Sequence, residues 1–156
     1  MTDPETLLHR LAVHPFLAGL EPRLIGVLAG MARFTEHRSG TWVARQGRPA
    51  EEFHLIEEGR YAIEITAADR PPLVIATVHP GDVLGWSWLV APYHWHFDVV
   101  ALDRGRTIVV DAASLRAACS ADHEFGFEIT RRFAEVIAMR LEATELQLID
   151  VYGHHR

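Results

Sequence analysis

The amino-acid sequence predicts a mainly β protein: an antiparallel β-roll with helices at its N-terminal end and a long helix at its C-terminal end. Three observations predict this class. Apolar residues follow helical spacing over 1–36, short β-branched and aromatic runs fill 40–111, and helical spacing returns over 112–152. A chain of 156 residues has the length of one domain with one hydrophobic core, so we expect a single domain across 1–156.

The first part of the chain predicts two or three short helices. Asp3 is a suitable N-cap, and the proline after it suits the first helical position. A second segment has apolar residues at helical spacing: Leu24, Val27, Leu28 and Met31. We expect the N-terminal helices to occupy the chain up to residue 36.

The middle of the chain predicts many short strands. Runs rich in β-branched and aromatic residues alternate with turn signals: TWVARQG, FHLIEEGRYAIEI, PLVIATVHPGD, FDVVAL and RTIVVDA. Gly59, within EEGR, is suited to a tight hairpin between two of these strands. Many short strands with closely spaced turns indicate a barrel or a roll.

The last part of the chain predicts a long amphipathic helix that ends near Val151, with Ser120 or Asp122 as its N-cap. One apolar stripe follows steps of three and four: Phe133, Ile137, Leu141, Thr144, Leu148 and Val151. A second stripe lies beside it: Ile129, Val136, Met139, Ala143 and Leu146. One stripe can cover the sheet and the other suits a partner helix, so we expect a homodimer through this helix. The alternative is that both stripes pack within one subunit.

Composition narrows the function classes. The net charge of -6 argues against a protein that mainly grips phosphate backbones, so we expect no direct DNA binding. Cys119 is the only cysteine, which excludes an internal disulfide and a Cys-only metal cluster. No apolar run is long enough to span a membrane, and the acidic first residues lack the basic start of a signal peptide. We expect a cytoplasmic protein without a membrane association.

Several segments together resemble the cyclic nucleotide-binding domain of the Crp/Fnr regulator family. They are the opening from HPFLAGL to YAIEI, with turns at Gly40 and Gly47 and the stretch AEEFHLIEEG, and then VHPGDVLGW. The order of helices, roll and long helix is similar as well, and the resemblance covers nearly the whole chain. It implies a jelly roll of the cyclic nucleotide-binding type and a noncatalytic ligand-sensing or regulatory function. No nucleophile elbow, P-loop or other enzyme motif accompanies it, so we expect no catalysis.

The resemblance places the ligand site in a phosphate-binding cassette. There a glycine lets the backbone approach, amides meet a phosphate, an arginine pairs with the anion and a glutamate holds the ribose. The glycine corresponds to Gly85, Trp86 takes the place of the glutamate and Ser87 follows it, while Trp95 and His96 stand where the arginine and a serine would be. The cassette is therefore degenerate. Losing a charge-assisted bond to a desolvated phosphate costs about 2 to 5 kcal/mol, so we expect cAMP and cGMP to bind weakly or not at all.

The expected ligand-binding residues are Gly85, Trp86, Ser87, Trp95, His96 and Thr144. Thr144 is included because RLEATEL resembles the part of the family helix that faces the nucleotide base. The amides around Gly85 and Ser87 are expected to remain able to meet a small anion or polar group, and the aromatic rings favour an uncharged, flat or apolar ligand. No cofactor is predicted. Each tryptophan also suits core packing, and His96 suits a structural hydrogen bond.

Two other functions stay open at this point. A filled cassette would suit a protein-interaction module that works by docking to a partner. His94 and His96 are spaced like the H-x-H ligand pair of cupin metal enzymes, because alternate residues of a strand point to one side. Asp98 is the only carboxylate expected on that side, so a metal site would lack its usual further ligands.

A DNA-binding element is also absent from the pattern. Regulators of the Crp/Fnr family continue from the long helix into a helix-turn-helix domain, whereas this sequence ends at DVYGHHR. We therefore expect no recognition helix in this chain, and any effect on transcription would pass through another chain.

Overall fold

The structure is a computed structural model that describes residues 3–153. Its helices are α1 (Pro4–Val13), α2 (Pro22–Ala29), α3 (Ala112–Ala121) and α4 (His123–Gly153), with a single 3-10 turn at Pro15–Leu17. Its strands are β1 (Ala32–His37), β2 (Trp42–Ala44), β3 (Glu52–Glu58), β4 (Tyr61–Ile65), β5 (Leu73–Val78), β6 (Val83–Leu84), β7 (Asp98–Ala101) and β8 (Gly105–Asp111). The predicted β-roll with flanking helices is confirmed. The ends of the predicted domain, residues 1–2 and 154–156, lie outside the described residues.

The strands form two four-stranded antiparallel sheets. The first sheet has the order β1-β8-β3-β6, and the second has the order β2-β7-β4-β5. Consecutive strands β3 and β4 belong to different sheets, so the predicted hairpin at Gly59 is wrong. The turn instead carries the chain from one sheet to the other. Gly59 has φ +86, and a Cβ there would lie 2.8 Å from the Gly105 Cα, so both conformation and space require glycine.

The N-terminal helices are shorter than the predicted 1–36. Helix α2 ends at Ala29, and β1 then pairs with β8 from Ala32 opposite Val110 to His37 opposite Gly105. The apolar residues near Met31 do continue a helical spacing, but as a strand this segment pairs its backbone with β8, four of whose side chains are buried. Tertiary pairing therefore overrides the local pattern.

Two apolar clusters form the core. One lies between the helices and the first sheet, where the rings of Phe53, Trp88 and Phe133 are 5.0 to 6.0 Å apart. The other lies between the two sheets and includes Tyr61 and Trp95. The roll is thus filled on both sides of the first sheet, and the second sheet has α4 near one end, where Gln147 donates a hydrogen bond to the Ile75 carbonyl at 3.4 Å.

Asp122 provides the N-terminal cap of α4, as one of the two predicted alternatives. Its carboxylate accepts a hydrogen bond from the Phe125 N–H at 3.2 Å, and Arg23 pairs with the same side chain at 2.8 Å. Asp111 caps the preceding helix α3 in the same way through the Ser114 N–H. The short link at Asp122 therefore joins two separately capped helices.

The predicted division of α4 into two stripes is replaced by a division along its length. In its first part Phe125, Ile129 and Phe133 are fully buried, whereas Leu141 and Leu148 are 58% and 52% exposed. From residue 141 to 153 every residue of the helix is exposed, whichever stripe it belongs to. None of the helices within residues 3–153 combines the length and apolarity that crossing a membrane requires.

Candidate functional site

The segment that resembles the phosphate-binding cassette is the loop between β6 and β7. Gly85 opens it with φ +95, a left-handed conformation that favours glycine. The Leu89 N–H donates to the Trp86 carbonyl at 3.0 Å, which closes a turn. Residues 85–97 contain turns and bends but no regular helix. The sequence here places three tryptophans within a few residues, and each has a different environment.

Trp95 occupies the space directly over Gly85. A Cβ on Gly85 would lie 2.6 Å from the Trp95 Cη2, so the indole ring rests against the glycine backbone. Trp95 is only 8% exposed and belongs to the core cluster between the sheets. Its backbone is fixed on both sides, since its N–H donates to the Arg48 carbonyl and its carbonyl accepts from the Gly47 N–H, each at 2.8 Å. This indole therefore fills the space over the Gly85 backbone.

Trp86, Ser87 and His96 form a second group in the loop. The Trp86 and His96 rings stack with centroids 4.4 Å apart and planes 28° apart. The Ser87 hydroxyl is hydrogen-bonded to the His96 Nδ1 at 3.0 Å, and Ser87 is buried. Because the serine hydroxyl already has this partner, its first role is to hold His96 against Trp86.

Trp88 is a core residue of the helix-facing cluster. It is 1% exposed and stacks on Phe53 with centroids 6.0 Å apart. Arg116 of α3 fixes the loop here, because its guanidinium donates to the Trp88 carbonyl at 2.9 Å and lies 4.2 Å over the Tyr93 ring. The sequence reasoning did not identify Arg116, and its spacing in α3 carries no signal for this contact.

A cavity of about 260 Å³ lies between the second sheet and α4. One wall comes from the roll: Ile63, Ile75, Ala76, Trp86 and Phe97. The other wall comes from the helix: Ile137, Arg140, Leu141, Ala143 and Thr144. The cavity is therefore bounded mainly by apolar side chains, and Trp86 and Phe97 connect it to the cassette loop.

Thr144 reaches this cavity, but its hydroxyl already has a partner. Its Oγ1 donates to the Arg140 carbonyl, one turn earlier in the helix, at 2.9 Å. Among the described residues that line the cavity, Arg140 is the only charged one, and its guanidinium donates to the Val83 carbonyl. Burial lowers the pKa of Arg140, while the negative charge of Asp82 raises it to a smaller extent. Arginine stays protonated in proteins, so a positive charge borders this apolar space.

The six predicted site residues are thus only partly brought together. Gly85 and Trp95 contact one another inside the roll, and Trp86, Ser87 and His96 form the neighbouring group. Of the six, Trp86 and Thr144 line the cavity. The sequence reasoning missed Arg140, although a signal was present: it is the only basic residue of α4 beyond Arg132, and it precedes Thr144 by one helical turn.

The cupin-like alternative finds no support in the arrangement of these side chains. Asp98, the expected carboxylate ligand, is buried and accepts hydrogen bonds from the Gln46 N–H at 2.8 Å and from the Thr66 hydroxyl. His96 is used by Ser87 and Trp86, as described above. Within residues 3–153 no group of three or more histidine, cysteine, aspartate or glutamate side chains is placed to hold a metal ion.

The fold agrees with a comparison against known families. The family model described as cyclic nucleotide-binding domain matches residues 34–122. This range runs from within β1 to the residue after α3 and covers more than half of the chain. The chain belongs to the cyclic nucleotide-binding domain family.

Individual relatives extend the comparison. The acetyltransferase Pat of Mycolicibacterium smegmatis is 37% identical over 75 residues, which is 48% of this chain and 22% of that protein. A cAMP-binding acyltransferase from Mycobacterium smegmatis, solved as an arginine-to-lysine mutant, has 32% identity and a TM-score of 0.62 over 71% of this chain and 34% of its own. A cyclic nucleotide-binding domain from Methylobacillus flagellatus KT has a TM-score of 0.78 at 14% identity, over 94% of this chain and 83% of its own. The chain thus spans about a fifth of the length of the curated relative it matches.

Proposed function

We propose that this chain is a noncatalytic ligand-sensing domain, and that the cavity between the second sheet and α4 is its ligand site. In this proposal cAMP and cGMP bind weakly or not at all. The observation that carries it is the position of Trp95, whose ring contacts Gly85 where the family pattern expects an arginine to pair with a phosphate. The remaining space lies on the Trp86 side of the loop, between Phe97 and the helix.

The size of the cavity supports a ligand smaller than a nucleotide. Sites for drug-sized ligands enclose about 300 to 1,000 Å³, and this cavity encloses about 260 Å³. Two ionic contacts are also missing, because tryptophans stand at the positions of the family glutamate and arginine. Without them a desolvated phosphate would lose about 2 to 5 kcal/mol of binding free energy, which weakens affinity by one to four orders of magnitude.

The exposed part of α4 connects the cavity with a surface that a partner could contact. Leu141 borders the cavity and is also 58% exposed, and Leu148 and Val151 continue its side of the helix. We propose that a second copy of this chain covers this stripe, because residues repeating in steps of three and four on one helix are complementary to the same residues on another. A ligand that moves Leu141 would then act on the dimer contact.

The relatives fit a regulatory role. One of them is named as a cAMP-binding acyltransferase, and this chain matches about a third of it. We propose that this chain likewise acts on another domain or protein, without catalysis of its own. The alternative function, an interaction module without a ligand, is supported by the buried position of Trp95. The space between Trp86 and α4 supports the sensor.

Native mass spectrometry of the freshly purified protein tests the sensor proposal. We expect an additional small-molecule mass on the wild-type protein. The substitution Ala143→Phe fills the cavity and should remove this mass, whereas Ala138→Phe, at an exposed position of α4 outside the cavity lining, should keep it. A wild-type protein without any added mass, and without a tryptophan fluorescence response to a metabolite library, would favour the interaction module instead.

A further inference from the structure

We propose that Arg140 is the anion-binding group of the cavity, and that the ligand is a small organic acid: one carboxylate on a flat or elongated apolar body. This inference rests on the proposed function, since it names the ligand class of the same cavity. It differs from the family pattern, in which the cassette supplies the arginine. Here the helix supplies it.

The walls of the cavity define the body of the ligand. Ile75, Phe97 and Leu141 offer apolar contacts, and the Trp86 ring, stacked on His96, offers a flat one. The Thr144 hydroxyl, the other polar side chain on the helix wall, already donates within α4. Burial of an apolar body here contributes about 25 cal/mol of binding free energy for each Å² of apolar surface removed from water.

Arg140 forms no ion pair with a carboxylate among the described residues, although the charge of Asp82 acts on it. The ion pairs recorded for α4 join Glu124 to Arg23, and Arg131 and Arg132 to Glu128 and Glu135. No ion pair recorded within residues 3–153 includes Arg140. Its guanidinium has five N–H donors, and the Val83 carbonyl accepts from one of them. Asp82 acts on this partly buried cation electrostatically but forms no ion pair with it. A ligand carboxylate that reaches Arg140 would therefore gain a charge-assisted bond, which arginine often makes in bidentate form.

The surroundings decide from which side the anion approaches. Arg140 separates the cavity from a second one, of about 380 Å³, that Asp82 helps to line. The Asp82 carboxylate disfavours an anion in that second cavity, whereas the lining of the first contains no acidic residue. One arginine neutralises one carboxylate, and a phosphate dianion would leave a charge unpaired in an apolar site. A monocarboxylate is therefore the favoured class.

Calorimetric titration with two matched probes tests the proposal. Phenylbutyrate carries the carboxylate, and phenylbutanol is its neutral counterpart of similar size. We expect the wild-type protein to bind the acid about tenfold to a hundredfold more tightly than the alcohol, the range for a hydrogen bond to a charged group. Arg140→Met should abolish this preference, and Arg140→Lys should keep part of it because the charge remains.

Arg131→Met serves as the matched control, since Arg131 lies on the same helix, is exposed and pairs with Glu128 and Glu135, away from the cavity lining. It should leave both affinities unchanged. If the wild-type protein binds the acid and the alcohol equally well, the proposed role of Arg140 is wrong, although the cavity would still be a ligand site. If neither probe binds, the proposed ligand class is wrong. The sensor proposal is tested separately, by the mass-spectrometric experiment. If Arg140→Met does not fold, the affinities of the wild-type protein and of Arg140→Lys for the two probes still test the proposal.

Discussion

The two halves of α4 have the same apolar periodicity and opposite environments. Phe125, Ile129 and Phe133 in the first half are 0% exposed, whereas Leu148 and Val151 in the second half are 52% and 59% exposed. The cause is length. The helix has 31 residues and extends about 46 Å, whereas a seven-residue strand such as β3 extends about 23 Å. Periodicity therefore shows which side chains seek an apolar partner, and the dimensions of the roll decide how many find one in the same chain.

The strongest expected contrast is between one truncation in each half. Phe133→Ala should lower the free energy of unfolding by about 3 to 5 kcal/mol, because the ring packs against Phe16, Phe53 and Trp88. Leu148→Ala should change it by no more than about 0.5 kcal/mol at concentrations where the chain is monomeric. Urea denaturation followed by circular dichroism measures both. Similar losses in the two variants would mean that the halves do not differ as described.

The second test asks what covers the exposed half. Leu141→Glu with Leu148→Glu should raise the dissociation constant of the dimer by about a hundredfold or more, because each buried leucine contributes roughly 1.5 to 3 kcal/mol. Sedimentation equilibrium measures it. Ala117→Glu with Ser120→Glu, at exposed positions of α3, makes the same charge change and should keep the dimer. A wild-type protein that is monomeric at about tens of micromolar would rule out the dimer.

The cassette loop shows the same contrast on a smaller scale, since Trp95 is enclosed and Trp86 borders open space. Gly85→Ala should destabilise the protein by about 1 to 3 kcal/mol, because the new Cβ would meet the Trp95 ring and the backbone has a positive φ. Gly26→Ala is the control: its Cβ would meet nothing within 4 Å, in the middle of α2. The control should stabilise slightly. Equal thermal denaturation midpoints for the two variants would contradict the close packing of Trp95.

The smallest expected effect is a pH dependence of the free energy of unfolding, and it arises from the buried side chain of His14. His14 donates from Nε2 to the Ile56 carbonyl at 2.9 Å and accepts the Phe16 N–H at Nδ1. Burial lowers the pKa of His14 below its ordinary value of 6.5. Between its folded pKa and 6.5 the unfolded state binds more protons, so this stability is complete above 6.5 and declines as the pH falls.

Denaturation at a series of pH values measures this effect. His14→Gln should flatten the decline, whereas His9→Gln, at an exposed position of α1, should leave it as in the wild type. An unchanged slope in His14→Gln would assign the pH dependence to other groups. His37 is one candidate, since burial lowers its pKa as well.

The sequence predicts the roll, the long helix and, as one of two alternatives, the Asp122 cap, because each depends on local residue types. It does not predict β1, since the spacing near Met31 is also helical and only the ladder with β8 selects the strand. The environments of the three tryptophans, which lie within ten residues, are likewise not local properties. Trp88 faces the helical core, Trp86 lines the cavity and Trp95 lies inside the roll. Arg140 acquires its role only when α4 is laid beside the second sheet.

Calorimetric titration of the wild-type protein with cAMP tests the central claim most directly, because that claim is that Trp95 occupies the place of a nucleotide phosphate. The cAMP-binding acyltransferase of Mycobacterium smegmatis, titrated in parallel, provides the positive control. We predict no saturable heat for this chain up to about millimolar nucleotide, which corresponds to a binding free energy weaker than about -4 kcal/mol. A dissociation constant in the low micromolar range, about -7 to -8 kcal/mol, would contradict the account.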